Sequence, residues 1–214
     1  LRSNSPSPTD FRKSSGATLP GCGDPIMNEA ASTILSIGYT GRKFDDFVRV
    51  LRDRGVTHLV DVRTAPYSKF HEAYNRIELE DALKPTGIKY IFMGDLLGGR
   101  PDDRECYDDD GRVVYAKVAD KEFFQRGIRQ LLRGAITHHR VLCLMCSELR
   151  PEQCHRSKLI GEALKLLNVS VQHIDQSDSL ADQDTVMARI DSGQLKLFDE
   201  ASSSRKAYRR AAHE

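Results

Sequence analysis

Cys146-Ser147-Glu148 and, six residues on, Cys154-His155-Arg156 bring two thiols, a carboxyl, an imidazole and a guanidinium into one short stretch. A thiol at the end of a central parallel strand lies where the cleft of an α/β protein opens. A loop or helix N-terminus facing it lowers its pKa and makes the thiolate accessible. Glu148 is suited to act as acid or base beside it. His155 and Arg156 fall in the first turn of an expected helix, where cations oppose the helix dipole. That misfit points to a bound anion or a carboxylate partner. Cys146 and Glu148 are therefore the candidate catalytic residues, with Cys154, His155 and Arg156 as candidate anion-binding residues. Zinc held by Cys146, Cys154 and His155 is an alternative, but the spacing is that of neither a zinc finger nor a ribbon. No metal and no cofactor is expected. A Cys146–Cys154 disulfide is left open as well.

Three further clusters carry polar groups at expected strand ends. In Gly38-Tyr39-Thr40-Gly41-Arg42 the glycines permit a tight turn, and the helix that follows offers free N–H groups to an anion. Tyr39, Thr40 and Arg42 are assigned to anion binding on that basis. Asp61-Val62-Arg63 places a carboxylate at a nearly buried position, where it needs a partner such as Arg63 or Arg156. Asp61 is read as structural support and Arg63 as a cleft residue. Leu97-Gly98-Gly99-Arg100-Pro101 allows close backbone approach and adds Arg100 to the cleft. Clustered arginines suit phosphate because each guanidinium pairs two oxygens. The acidic run Asp108–Asp110 reads as a solvated turn.

The elements that must position these groups alternate. Thr33–Gly38 is an apolar run ending in glycine, hence a strand. Phe44, Phe47, Val48 and Leu51 follow helical spacing, and Gly55 ends that helix. Strands are expected at 56–62, 88–93, 141–146 and 169–174, and helices at 77–84, around 123–132 and around 159–167. The run 141–146 is the most apolar, which predicts a central strand. A polar loop is expected from Gly94 to about Val118, long for a compact domain. Alternation of this kind predicts a single α/β domain with a mostly parallel sheet of about five strands and helices on both faces. Its ligand would bind beyond the carboxyl ends of the strands.

The 214 residues suffice for one core without staples. With 32 basic and 31 acidic residues the formal net charge is +1, so an anion site must be a local patch rather than a global field. No apolar run approaches the ~18 residues of a membrane span, and no membrane partner is expected. The clustered cysteines and the absence of an apolar leader predict a cytoplasmic protein. Residues 1–32 contain a Ser-, Pro- and Gly-rich stretch expected to be disordered, with Met27 as a candidate natural start. Residues 33–192 form the expected domain, and 193–214 a flexible basic tail. Within that tail Gln194-Leu195-Lys196-Leu197-Phe198 resembles the pentapeptide by which bacterial replication and repair proteins bind the sliding clamp. Gln194, Leu195, Leu197 and Phe198 are assigned to that partner.

The chain resembles domain-of-unknown-function family 488. The likeness is carried by Gly38-Tyr39-Thr40-Gly41-Arg42, Leu59-Val60-Asp61-Val62-Arg63, Leu97-Gly98-Gly99-Arg100-Pro101 and the stretch from Cys146 through Glu148 to Cys154-His155-Arg156, in that order. It spans about 33–175 and implies a compact α/β domain whose motifs converge on one site. A looser likeness to rhodaneses and cysteine phosphatases concerns layout only, since Arg156 lies ten residues after Cys146 and Pro151 interrupts the loop. The expected function is action on, or binding of, a nucleotide or nucleic-acid phosphate at an arginine- and cysteine-lined site in DNA metabolism. The alternatives are a non-catalytic adaptor for the sliding clamp and a thiol-based sulfur-transfer or redox protein.

Overall fold

A computed structural model describes residues 33–192 together with 203 and 204. They build a six-stranded sheet in the order β3-β2-β4-β1-β5-β6, with β1 Thr33–Gly38, β2 His58–Asp61, β3 Lys89–Phe92, β4 Leu142–Cys146, β5 Ser170–Ile174 and β6 Leu180–Asp182. The first five strands pair in parallel, and β6 adds an antiparallel edge to β5. The sheet is mostly parallel as expected and has one strand more than the sequence pattern indicates. The extra strand escapes notice because three residues are too few to show a period, and its one buried position is Ala181 beside an exposed Leu180.

The two faces divide by strand parity. Leu142, Leu144 and Cys146 of β4 face the same side as Ile34 of β1, and pack with Phe124, Ile128 and Leu131 of α5 (Glu122–Ala135). Leu159 and Ile160 of a π-helical turn, Arg156–Gly161, and Leu164 of its continuation α6 (Glu162–Leu166) complete that face. Cys143 and Met145 face the other side, against Phe47, Val50 and Leu51 of α1 (Phe44–Asp53) and Leu79 and Leu83 of α2 (Arg76–Leu83). Both long helices bury one stripe, with spacings of three and four residues, as an amphipathic helix against a sheet must. Each such side chain removed from water contributes about 1.5–3 kcal/mol.

The direction in which successive strands are added reverses at the centre of the sheet. From β1 the chain runs outward through α1 and α2 to β2 and β3. It returns through α5 to β4 and crosses through α6 to β5. The neighbours β1 and β4 therefore send their connections to opposite faces, which opens a crevice beyond their carboxyl ends. Gly38 and Cys146, partners in register, mark its floor.

The stretch read as a loop from 94 to 118 holds two short helices, α3 (Gly94–Leu97) and α4 (Tyr115–Ala119). Four- and five-residue helices carry too little periodicity to be read from sequence. Among the described residues the last helix, α7 (Gln183–Ser192), follows β6 directly. The stretch 1–32 and Gln194, Leu195, Leu197 and Phe198 lie outside the described residues. Of 193–214 only two residues are described. Ser203 bridges Val114, and the Ser204 backbone N–H donates to the Val113 carbonyl at 2.8 Å.

Beneath the site a polar chain crosses the sheet. Arg156 Nε donates to Ser36 Oγ at 3.3 Å, and Ser36 donates to His173 Nδ1 at 2.6 Å. His173 Nε2 donates to Gln183 Oε1 at 2.6 Å, and Gln183 Nε2 donates to the Ser157 carbonyl at 3.1 Å. This order assigns a neutral His173 with its proton on Nε2. Burial depresses its pKa to about 4, and the positive charges of Arg156 and Arg189 act in the same direction. A histidine kept neutral by folding stabilises fully above its unfolded pKa near 6.5, and that stabilisation is lost as pH falls toward 4. At about 1.4 kcal/mol per tenfold change in proton affinity, roughly 3 kcal/mol is at stake. The stability of the wild type to denaturant should fall by about 2 kcal/mol between pH 6.5 and 4.5, and the slope should flatten in His173→Asn. Parallel curves for the two proteins would rule this histidine out as the source.

Candidate functional site

Cys146 ends β4, and Ser147–Arg150 turn back across the end of β1. The crossing is close because residue 38 has no side chain: a Cβ there would come within 2.7 Å of the Glu148 carbonyl carbon and 2.8 Å of Leu149 Cα. Tyr39 N–H donates to the Cys146 carbonyl at 3.2 Å and Thr40 N–H to the Ser147 carbonyl at 3.0 Å, stitching the two strand ends together. The chain then passes through a 3-10 turn, Pro151–Gln153, into Cys154 and His155.

Four groups converge where the crossing segment meets this turn. Cys146 Sγ lies 3.1 Å and Cys154 Sγ 3.3 Å from Glu148 Oε2. His155 Nδ1 lies 3.7 Å from Cys146 Sγ and 3.8 Å from Cys154 Sγ. The other imidazole nitrogen, Nε2, donates to the Val62 carbonyl at 3.1 Å, which turns the Nδ1 lone pair toward the sulfurs. Cys146, Cys154 and His155 are all buried. Burial raises the Glu148 carboxyl above its ordinary range, and a charge on Cys154 would raise it further. Of the two thiols, Cys154 is the one held low. Burial opposes its ionisation, but the bond from Cys146 and the positive Arg156 and His155 outweigh it. Cys146, which donates that bond and is itself buried, is held high.

The cluster opens onto a cavity of about 70 Å³ lined by Cys146, Ser147, Glu148 and His155 on one side. The opposite wall is Arg63, Thr64 and Ala65 beyond β2, with Gly99 and Arg100 beyond α3; Tyr115 and Ser204 close the rim. Gly99 packs on the imidazole, since a Cβ there would come within 2.8 Å of His155 Cγ and Nδ1. The Arg100 backbone N–H donates to Thr64 Oγ1 at 3.0 Å, tying that loop to the end of β2.

The four arginines assigned to an anion have different places. Arg63 and Arg100 line the cavity. Arg63 is also the partner of Asp61: Nε donates to Oδ1 at 2.9 Å and Nη2 to Oδ2 at 2.6 Å. Tyr90 donates to Asp61 Oδ2 at 2.7 Å, and Asp61 is fully buried. Arg63 Nη1 is buried and has no hydrogen-bond partner. Arg42 is not a lining residue. It forms an ion pair with Asp178 and donates through Nη2 to the Asp175 carbonyl at 2.5 Å and through Nε to the Gly38 carbonyl at 2.9 Å. Arg156 is fully buried; it donates to the carbonyls of Glu148 and Leu149, the latter at 3.1 Å, and to Ser36 Oγ. Both arginines shape the segments that carry the site. Tyr39 stacks on Tyr74 with ring centroids 4.3 Å apart, and Arg63 lies over the Tyr39 ring at 5.1 Å. Thr40 is exposed beyond the lining.

A family model described as domain of unknown function DUF488 matches residues 43–163, more than half of the chain. The chain belongs to DUF488. The matched stretch of this DUF488 chain holds the Asp61–Arg63, Leu97–Pro101 and Cys146–Arg156 motifs and starts just after Arg42. No curated protein and no solved structure matches the chain.

Sequence reasoning missed Ser36, His173 and Gln183 beneath the site and Thr64, Tyr115 and Ser204 at its wall and rim. A signal existed for the first pair. Ser36 and His173 are polar residues inside otherwise apolar strand segments, and they are register partners across β1 and β5. Ser204 carried none, because a serine run reads as tail. Among the described residues no helix is long and apolar enough to cross a membrane.

Proposed function

We propose that this DUF488 domain is an enzyme that receives an anionic group, of the phosphate type, in the cavity between the carboxyl ends of β2 and β4. Arg63 and Arg100 hold the anion against the cluster of Cys146, Cys154, Glu148 and His155, where the reaction occurs. The observation that carries this reading is Arg63 Nη1, a buried guanidinium nitrogen without a partner in a residue that lines the cavity. A buried donor left unpaired costs about 1–3 kcal/mol, and an anion oxygen at that nitrogen would recover it. Asp61 already neutralises Arg63, and Arg100 adds a second guanidinium-bearing residue to the lining of the cavity. The cavity admits a phosphoryl-sized group or the phosphate end of a nucleotide. An extended nucleic-acid track finds no support in a chain of net charge +1.

Titration of the purified chain with inorganic phosphate and with a nucleoside monophosphate, at low and high salt, tests this. Binding should weaken as salt rises, and Arg100→Ala should lower affinity by about 10-fold, the order expected when a charge-assisted bond is lost. Equal affinity in wild type and Arg100→Ala, or no binding of either ligand, would remove the anion reading.

A further inference from the structure

Spacing along the chain argues against a zinc finger, but the folded arrangement of the same residues argues for a metal. We infer that Cys146 Sγ, Cys154 Sγ, His155 Nδ1 and Glu148 Oε2 form a four-coordinate site for a zinc ion at the floor of the cavity. Three of the donors, the two sulfurs and the imidazole nitrogen, lie within 4.8 Å of one another.

The distances test the fit. A tetrahedral zinc with its usual bonds of about 2.3 Å to sulfur and about 2.0–2.1 Å to nitrogen or oxygen sets sulfur–nitrogen and sulfur–oxygen separations of about 3.5–3.6 Å. The sulfur–nitrogen pairs here are 3.7 and 3.8 Å, and the sulfur–oxygen pairs 3.1 and 3.3 Å. These are four of the six edges of that tetrahedron, and they agree with it to within about half an ångström. For hydrogen bonding alone the arrangement is uneconomical, because two thiols share a single carboxylate oxygen.

The surroundings are those of a metal–thiolate centre. His155 donates its other N–H to the Val62 carbonyl, the usual way of orienting a zinc-bound imidazole. The Arg156 backbone N–H points at Cys154 Sγ at 3.5 Å, which favours a thiolate there. The Arg156 side chain is a fully buried cation that donates to two carbonyls and a hydroxyl, all of them neutral. Buried charge calls for compensation. Two thiolates, one carboxylate and Zn²⁺ carry a net charge of −1, which balances Arg156. On binding, the thiols release their protons to solvent. The cavity supplies the entry path, since Cys146, Glu148 and His155 all line it. Glu148 is the most exposed donor and the one an incoming anion could displace, leaving three protein ligands and an open position, as in catalytic zinc sites.

The test uses the full chain, reduced with a phosphine and freed of metal by chelation, then given Zn²⁺ or Co²⁺ with no phosphate present. One zinc per chain should survive dialysis. The cobalt form should show intense tetrahedral d–d bands in the visible together with sulfur-to-metal charge transfer in the near ultraviolet. Cys154→Ser should weaken zinc binding by more than the roughly 100-fold typical of losing a supporting partner. Cys106→Ala, which removes a buried thiol outside the cluster, should retain it. Glu148→Gln should shift the cobalt d–d bands and keep the charge transfer, a readout that survives even if a cysteine variant does not fold. No zinc uptake by the reduced wild type, a weak octahedral cobalt spectrum, or undiminished binding in folded Cys154→Ser would each overturn the inference. Because no anion is present, failure here leaves the anion reading standing, and the converse also holds.

Discussion

Replacing Arg156 by alanine should destabilise the domain by roughly 3–5 kcal/mol, a loss of the size seen when one partner of a buried charged network is removed. The side chain is completely buried and is the largest such group in the core. Its guanidinium holds the carbonyls of Glu148 and Leu149 and the hydroxyl of Ser36 at once. Alanine would leave one buried and two partly buried acceptors without this donor, together with a cavity the size of an arginine. Arg156→Lys should recover less than half of the loss, because an ammonium on a flexible stem cannot reproduce a planar fork that spans two chain segments. Denaturant midpoints for the three proteins, compared at constant slope, measure this. A loss below about 1 kcal/mol in the alanine variant would mean that the segment 147–150 holds its place without Arg156.

Gly38→Ala should disable the site more selectively. The added methyl would press on the backbone at Glu148 and Leu149, and no rotamer change can relieve a clash with backbone. The crossing segment would have to rise from the end of β1, carrying the Glu148 carboxylate away from both sulfurs and straining the bonds from Tyr39 and Thr40. A shift of about 1 Å in a positioned group is enough to lose about 100-fold in rate. Anion affinity, zinc retention and turnover should therefore collapse together. Gly55→Ala supplies the contrast: a Cβ at Gly55 meets nothing within 4 Å, although its positive φ of 66° adds local strain. That variant should lose a little stability and leave the site intact. A Gly38→Ala protein with unaltered phosphate and zinc binding would show that the crossing segment is not what places Glu148.

What the sequence determined by itself was the alternation of elements and the chemistry available at the strand ends. Apolar runs of strand length between helical stripes could bury their surfaces only as a layered α/β sheet, so the class, the five parallel strands and the central place of the run ending at Cys146 were legible. The near burial of Asp61 was legible too, at the end of an apolar run, whereas the convergence of the Cys146 stretch with the Leu97–Pro101 and Asp61–Arg63 motifs was implied only by the family resemblance and was decided by strand order.

Tertiary structure alone decided what each charged group does there. Arg42, Arg63, Arg100 and Arg156 look equivalent in sequence. Two became internal struts because the chain bends back over β1 and has carbonyls to satisfy, and two face the cavity. The relation of Cys146 to Cys154 was left open by the sequence. Eight positions apart in sequence, their sulfurs share one carboxylate oxygen because the crossing segment and the 3-10 turn fold the chain back on itself. Coordination geometry is a property of distances in space. Sequence spacing reports it only where the intervening backbone is regular, and between Cys146 and Cys154 it is not.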